Sequence, residues 1–528
     1  MWFGKYKSNI GGKMGSVAII GNGSGGGSDA AGLPPSNCKN IVIQRGESSN
    51  TLRWQDPNDT IIDKQYLCTW AGTKIVRKAG GYPTNEDDGT VIVDNKTKNQ
   101  YLTSGYVDSD ITAGTTYYYR AFPYSVNGVY NYDTKNCFVD AIIYGFAIDK
   151  TDSNPDTRVS YIEGCDNENF TAAHMNFGGS FDYGDWENAF FMPRVVMLKS
   201  DGTVDYEINP DDYSLKKDGT ASDYNNTSYN GNVMVGFPQV WFKFVNNGNR
   251  QEVYISNKKA DDDYVNYTHY NRLNELVDEI YVGAYDGALI SNKLRCLSGQ
   301  TPCNTQTGTT EISAATANGT YWYTGVLADY QMIIMLLTLM GKTTNTQTKF
   351  GYGHYTGGSS ASSLIATGTM NTRGLFWGSN GTGVGVKVFG IENFWGNLWK
   401  RIAGWINASG TQKIKMTYGT QDGSTVTGYN TDGTGYISIG LTPSGTSGGY
   451  ISSSTLTNYG LFPQVASGSD TTYFCDGMWF NNSQTDYALV GGACGDGLLV
   501  GGFSSHLDAA VSDSDWGIGA SLSCKPAA

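Results

Sequence analysis

Gly390-Ile391-Glu392-Asn393-Phe394-Trp395-Gly396-Asn397-Leu398-Trp399-Lys400-Arg401-Ile402-Ala403-Gly404-Trp405 sets three tryptophans four and six residues apart around a glycine. Bulky rings and a glycine in so short a span demand a close-packed backbone. Gly396 lets strand and turn approach each other, and Asn393 and Asn397 have side chains able to satisfy buried backbone groups. A core role is the expectation for Trp395, Trp399 and Trp405, with ligand stacking the alternative. Glu392 is expected to bond buried backbone.

The closing stretch, Val490 to Cys524, reads V-G-G-A-C-G-D-G-L-L-V-G-G-F-S-S-H-L-D-A-A-V-S-D-S-D-W-G-I-G-A-S-L-S-C. Gly491 and Gly492 follow the apolar run 487–490, as where a buried strand ends in a tight turn. Trp516, Ile518 and Leu522 are spaced as a second strand with one apolar face. Between them, Cys494 to Asp515 has neither helical nor strand period. It contains no Lys or Glu, unlike a surface that must only stay soluble. The reading is a ligand-facing segment held between two strands, the alternative an irregular glycine-rich loop.

Three segments in this order carry a resemblance. Gly396-Asn397-Leu398-Trp399 is similar to the G-N-x-W-x-W segment of the C-type-lectin-like fold shared by formylglycine-generating enzymes and the variable proteins of diversity-generating retroelements. Arg401 stands where that segment usually has its second tryptophan. Val490-Gly491-Gly492-Ala493-Cys494 resembles the R-G-G-S-W segment of the fold, departing from it at Val490 and Cys494. Ser514-Asp515-Trp516-Gly517-Ile518-Gly519 resembles its closing strand. The resemblance spans 240–528 and implies an α+β C-type-lectin-like domain.

The chain also resembles receptor-binding tail proteins of bacteriophages that infect gut bacteria, in which fibronectin-like modules precede a lectin-like tip. That resemblance implies a virion tail protein assembled in the host cytoplasm and joined to other tail proteins through its N-terminus. It also implies a homotrimer, whose tip contacts a protein or glycan receptor on the bacterial surface. In retroelement-diversified members, randomised AAC codons can encode Gly, Asp, Leu, Val, Ser, His, Ala, Phe or Cys but not Lys, Glu, Gln, Met or Trp. The segment 494–515 contains only permitted residues. The implied ligand-binding face combines Trp479, Phe480, Asn481 and Asn482 with Cys494, Asp496, Leu498, Leu499, Phe503, Ser504, His506, Asp508, Asp513 and Asp515. Aromatic and aliphatic groups there would supply burial, and Asp, Ser, Asn and His would orient the ligand.

An enzyme is not expected. Formylglycine-generating enzymes use two closely spaced cysteines. Cys494 lies in that neighbourhood, but the next cysteine is Cys524. A lone cysteine without a base or metal partner is a weak nucleophile. The alternatives are a bacterial surface adhesion module with the same fold and an oxidase of the formylglycine-generating type. Neither a cofactor nor a metal site is expected. The four His, at 174, 269, 354 and 506, do not lie at ligand spacing. The cluster Asp205, Glu207, Asp211 and Asp212 lacks the spacing of a calcium loop and reads as a solvated turn. The E-P-N and W-N-D signatures of calcium-dependent sugar binding are also missing.

The 528 residues carry 49 Asp and Glu against 36 Lys and Arg, a net charge of −13. That balance argues against nucleic acid, which needs a basic footprint, and against docking on anionic lipid. With 69 Gly and 36 Tyr and only 16% charged residues, the composition suits β-rich domains with tight turns. Nine cysteines without a C-x-x-C read as free thiols, although Cys296 and Cys303 are close enough in sequence to pair. No secretory signal is evident at the N-terminus. The most apolar run, 332–337, is far shorter than the ~20 residues of a membrane span.

These readings give a mostly β multidomain chain. Residues 1–36, with the tract Gly21–Gly27, form a flexible attachment arm. Residues 37–145 resemble a fibronectin type III domain: Trp54 would fill the sandwich core and Tyr117 would close its corner, with Tyr119 and Ala121 on the same face. Residues 146–239 form a β-rich connector, and 240–528 the lectin-like domain. Within the last, Leu273–Glu279 is expected as a short helix. The strongest helix is Val326–Met340, with Leu327, Tyr330, Ile334, Leu337 and Met340 on one side.

Overall fold

A computed structural model describes residues 32–46, 48–62, 65–260, 263–381, 383–416 and 433–527. The arm expected at 1–36 lies outside them except for its last residues. The described residues form two compact units, divided between Asp140 and Ala141, and are mostly β.

The first unit is a sandwich. One sheet orders Tyr106–Asp108, Asn50–Gln55, Lys39–Arg45 and Val139–Asp140; the other orders Thr90–Asn95, Trp70–Ala79 and Tyr117–Ser125. Trp54 is fully buried between them with Leu52, Ile75 and Ala121. The tyrosine that locks this core is Tyr119, not Tyr117. Its hydroxyl donates to Asp108 Oδ2 at 2.7 Å and accepts from Asn50 Nδ2 at 2.9 Å. Tyr117 stays half-buried, its hydroxyl 3.5 Å from Thr112 Oγ1, because it begins the strand at the sandwich edge.

The second unit does not divide at 239. The expected connector supplies Arg194–Lys199 and Gly231–Pro238 to a six-stranded sheet. That sheet continues through Glu279–Gly283 to Leu522–Cys524 and Trp322–Thr324. Ile143–Asp149 likewise pairs with Arg250–Ser256. One apolar core runs from Tyr144 to Cys524, so residues 146–239 belong to the same folding unit as the C-terminal region. Leu273–Glu279 is not helical: a bridge joins Tyr270 to Leu276, and Glu279 already opens a strand.

Helix Leu327–Gly341 is found where the sequence predicts it and ends at Lys342 in the left-handed region (φ 49°). It is buried on every side and not on one stripe alone, which its uniformly apolar sequence permits. Two shorter helices, Gly308–Thr316 and Thr346–Phe350, escape the sequence reading. Both begin at a side-chain cap, Thr307 on the Thr310 N–H and Asn345 on the Thr348 N–H.

In the remaining large sheet Trp399–Ala408 is third from one end, flanked by Thr411–Ile414 and Thr485–Val490. It continues through Ser505–Ala509 and Gly477–Phe480 to the hairpin Gly449–Thr457 and Gly460–Ala466. Ile518–Ala520 runs parallel beside Trp399–Ala408. The turn before this strand behaves as its residues suggest. Asn393, Gly396 and Asn397 all have positive φ. Asn397 Nδ2 donates to Asp286 Oδ2 at 2.9 Å, while its Oδ1 accepts the Ile365 N–H at 3.0 Å. Glu392 accepts the Gly368 and Met370 N–H groups at 2.8 and 2.9 Å. A Cβ on Gly396 would stand 2.8 Å from the His354 backbone nitrogen. Gly396→Ala is therefore expected to cost at least about 1–3 kcal/mol from backbone conformation alone. Denaturant unfolding of the chain would measure this as a lower midpoint for the second unit, and an unchanged midpoint would contradict it.

Candidate functional site

Strand alternation puts one row of rings on the same sheet face. Trp479 pairs with His506 across parallel strands, and Leu489 pairs with His506 from the other side. The Trp479 ring stacks on the His506 imidazole at 5.8 Å and 14°. Trp399 meets both edge-on, at 5.3 Å from Trp479 and 5.4 Å from His506.

In front of these rings opens a cleft of about 460 Å³. Its floor is Trp399, Leu489, Ala493, Ala509 and Ile518; its rim carries His506, Trp516, Ser514 and four carboxylates, Asp496, Asp508, Asp513 and Asp515. Of the residues the sequence nominates, Asp496, His506, Asp508, Asp513 and Asp515 thus meet at one place. Trp479 stands behind His506.

The other nominated residues are scaffold. The stretch 494–515 is not a free loop. It contains the strand Ser505–Ala509 inside the sheet and a turn of 3₁₀ helix, Gly497–Leu499. Cys494, Phe503 and Ser504 are buried. Phe503 packs on Phe474 at 5.0 Å, and its N–H donates to the buried Asp476 at 2.7 Å. The Ser504 hydroxyl donates to the Leu499 carbonyl. Burial pushes the Cys494 thiol up, away from the thiolate a nucleophile needs. Leu498 and Leu499 are half-buried, with the Leu498 carbonyl held by Gln347 Nε2 at 2.9 Å. Phe480 points to the sheet face opposite Trp479 and packs against the main core. Asn481 and Asn482 form the turn after it, tied to Asn407 Nδ2 at 2.9 and 3.2 Å.

Two lining residues, Trp399 and Trp516, are tryptophans that sequence reasoning assigns to scaffold. Period-two alternation along 399–405 was the available signal. It separates Trp399 and Arg401 from Lys400, which turns into the core to meet Asp286 at 3.3 Å.

Arg401 explains the departure from the two-tryptophan pattern. It is fully buried, and its Nε donates to Glu311 at 2.8 Å. Its remaining nitrogens reach the Asp513 carbonyl at 2.9 Å and the Ala510 carbonyl at 3.4 Å. The Gly308 N–H, at the start of the helix that carries Glu311, donates to the Val511 carbonyl at 3.0 Å. A helix end and a guanidinium therefore hold the loop 510–513 from below, and with it Asp513.

Each rim acid is also shaped locally. Asp496 accepts the Ala493 N–H at 2.7 Å, Asp513 the Ala510 N–H at 2.9 Å and Asp515 the Gly517 N–H at 3.0 Å. Asp508 has neither a hydrogen bond nor an ion pair among the described residues. Burial raises the Asp496 carboxyl, opposed by the Ala493 N–H and the Trp399 indole. Burial lowers the His506 imidazole from 6.5, against the pull of Asp508 and Asp513. His506 Nδ1 has no partner among the described residues.

No family model and no curated protein matches the chain. The chemistry of the cleft is thus read from its own residues. Among the described residues, no group of three or more His, Cys, Asp or Glu is arranged to hold a metal ion. Two members of the acidic cluster expected as a solvated turn form ion pairs, Asp205 with Lys199 at 2.8 Å and Glu207 with Arg194 at 2.9 Å and with Lys217, and Asp212 accepts the Ser214 N–H at 3.0 Å. None of the nine cysteines forms a disulfide. No helix among the described residues is long and apolar enough to cross a membrane.

Removing Arg401 should leave Glu311 buried without a partner. Arg401→Met is expected to cost about 3–5 kcal/mol, and Glu311→Gln added to it should restore most of that loss. Denaturant unfolding of the single and double variants measures both. A separate expectation concerns pH. His506, held neutral, contributes stability that is present above pH 6.5 and lost as pH falls through its lower folded value. Proton NMR should give His506 a midpoint below 6.5, and a midpoint at or above that value would contradict the burial argument.

Proposed function

We propose that the chain is a bacteriophage tail protein that recognises a receptor on the bacterial surface through the cleft beside Trp399 and His506. The observation that carries this reading is the construction of the cleft. Its floor is strand and its rim is side chains of mixed chemistry, Asp, Ser, His and Trp. Rim loops anchored by Arg401 and Glu311 tolerate side-chain change without losing their backbone course, as a recognition surface requires. The C-type-lectin-like resemblance of 390–405, 490–494 and 514–519 supports the same reading, as does the two-sheet module that precedes it in the chain.

A single cleft of this size would bind weakly. Presented in three copies on a tail, it would gain avidity of ~10²–10⁴ from effective concentration alone. We include a homotrimer and attachment to the virion through the N-terminus in the proposal. The oxidase reading is disfavoured because burial holds the Cys494 thiol protonated and no cysteine among the described residues lines the cleft.

The test uses the full chain, labelled and incubated with a panel of gut bacterial strains. Ser514→Trp adds bulk at the exposed rim and should leave the fold intact, as judged by unfolding midpoint. Adsorption to a recognised strain is expected to fall at least tenfold in this variant. Adsorption equal to that of the unaltered chain, or adsorption to no strain at all, would overturn the reading.

A further inference from the structure

The cleft has an uncompensated charge. Four carboxylates border it, and no Lys or Arg lines it among the described residues. The guanidinium beneath the loop, Arg401, is spent on Glu311 and on two carbonyls. His506 adds no positive charge, because burial favours its neutral form. Behind the rim lies a fifth carboxylate, Asp486, 1% exposed, with Oδ1 bonded to Gln484 and Oδ2 unpartnered. It is close enough to Asp508 and Asp513 for both to push its carboxyl further up. A buried acid with one oxygen unpartnered, beside an open acid with no partner, is a costly arrangement for a surface with only a structural task.

The walls point the same way. Trp399 and Trp516 present aromatic rings to the space that the carboxylates surround. Ring faces attract cations through their quadrupole, and the attraction grows as water is excluded. An anion would be repelled by four acids. A neutral ligand could stack on the rings but would leave the acids uncompensated.

From this juxtaposition, and resting on the receptor-binding reading above, we propose that the cleft takes a protonated amine or guanidinium group of the receptor. Asp508 and Asp513 face the cation as its carboxylate partners, and Trp399 and Trp516 flank its alkyl or planar portion. A volume of about 460 Å³ admits a lysine- or arginine-sized group together with part of whatever bears it. The same group occurs on surface proteins and on glycans with free amino sugars.

The experiment titrates the full chain by NMR and calorimetry with N-acetyl-lysine methylamide and N-acetyl-arginine methylamide. Their uncharged counterparts, the Nε-acetyl derivative and the citrulline analogue, serve as controls. Charged probes are expected to bind at least tenfold tighter than neutral ones, and more weakly as salt rises. The double variant Asp508→Asn/Asp513→Asn, with an unfolding midpoint no lower than that of the parent, is expected to lose at least tenfold. Equal binding of charged and neutral probes, no binding of charged probes, or full binding by the double variant would overturn the proposal.

Adsorption to cells separates this proposal from the reading beneath it. If Ser514→Trp abolishes adsorption while charged probes fail to bind, the cationic ligand falls and receptor binding at the cleft stands. If charged probes bind but Ser514→Trp adsorbs normally, the cleft takes a cation and the receptor-binding reading falls. On a recognised strain, loss of adsorption after protease treatment supports a lysine or arginine source. Loss after nitrous acid deamination supports a free amino sugar. Adsorption surviving both treatments overturns the proposal for the receptor.

Discussion

Two adjacent cations on one strand, Lys400 and Arg401, are buried on opposite faces of a sheet, and each has a carboxylate waiting for it. A charge removed from water must be paired or neutralised. Lys400 meets Asp286 at 3.3 Å on the core side, and Arg401 meets Glu311 at 2.8 Å on the other. Strand alternation makes the two requirements inseparable. Sliding the strand by one residue in either direction would put one cation in the other's place and leave one acid facing Trp399 or Ile402 instead of a charge. The register of Trp399–Ala408 is therefore fixed by electrostatics as well as by packing. The neighbours paired to it, Thr485–Val490 and Ile518–Ala520, inherit that register.

The turn that delivers the chain to this strand uses the same acid. Asp286 accepts from Asn397 Nδ2 at 2.9 Å and pairs with Lys400. One buried carboxylate thus ties the left-handed turn to the strand after it. Asn397 in turn fixes the backbone at Ile365, and its own carbonyl accepts the Cys494 N–H at 3.1 Å. The loop that leads to Asp496 is thereby hung from the turn at Gly396, and the loop that carries Asp513 is hung from Arg401. Two rim segments far apart in sequence are positioned by groups within five residues of each other.

What the sequence made legible follows from locality. The helix at 327–341 and the left-handed turn at 393–397 announce themselves through residues close in the chain. The acids and His506 were legible because a polar group inside an apolar glycine-rich stretch is unusual. The errors share one cause: pairing with distant strands. Ser505–Ala509 looked structureless because its partners, 485–490 and 477–480, supply the order. Cys494, Phe503 and Ser504 were nominated by their position in the segment, and long-range packing buried them. The connector at 146–239 reads as separate because the pairings that join it to the C-terminal region are distant in sequence, Gly231–Pro238 with Glu279–Gly283 and Ile143–Asp149 with Arg250–Ser256. Tyr117 and Tyr119 share a face, so alternation could not tell which hydroxyl would find Asp108.

The division of labour inside the cleft has a physical consequence. Its apolar floor, Leu489, Ala493, Ala509 and Ile518, packs with Trp399 in a small cluster of its own. Of its rim acids, Asp508 lies on the strand Ser505–Ala509, while Asp496, Asp513 and Asp515 sit on loops whose N–H groups they accept and, at 510–513, whose carbonyls Arg401 holds. Repulsion among like charges on the rim tends to open those loops, and the buried Arg401 opposes it through two carbonyls without neutralising a single rim carboxylate. A lysine or arginine placed beside the acids would have stabilised the rim more directly and would have filled the space where a ligand can enter. Anchoring the loop through its backbone leaves Asp508 without a partner among the described residues and the space in front of it open.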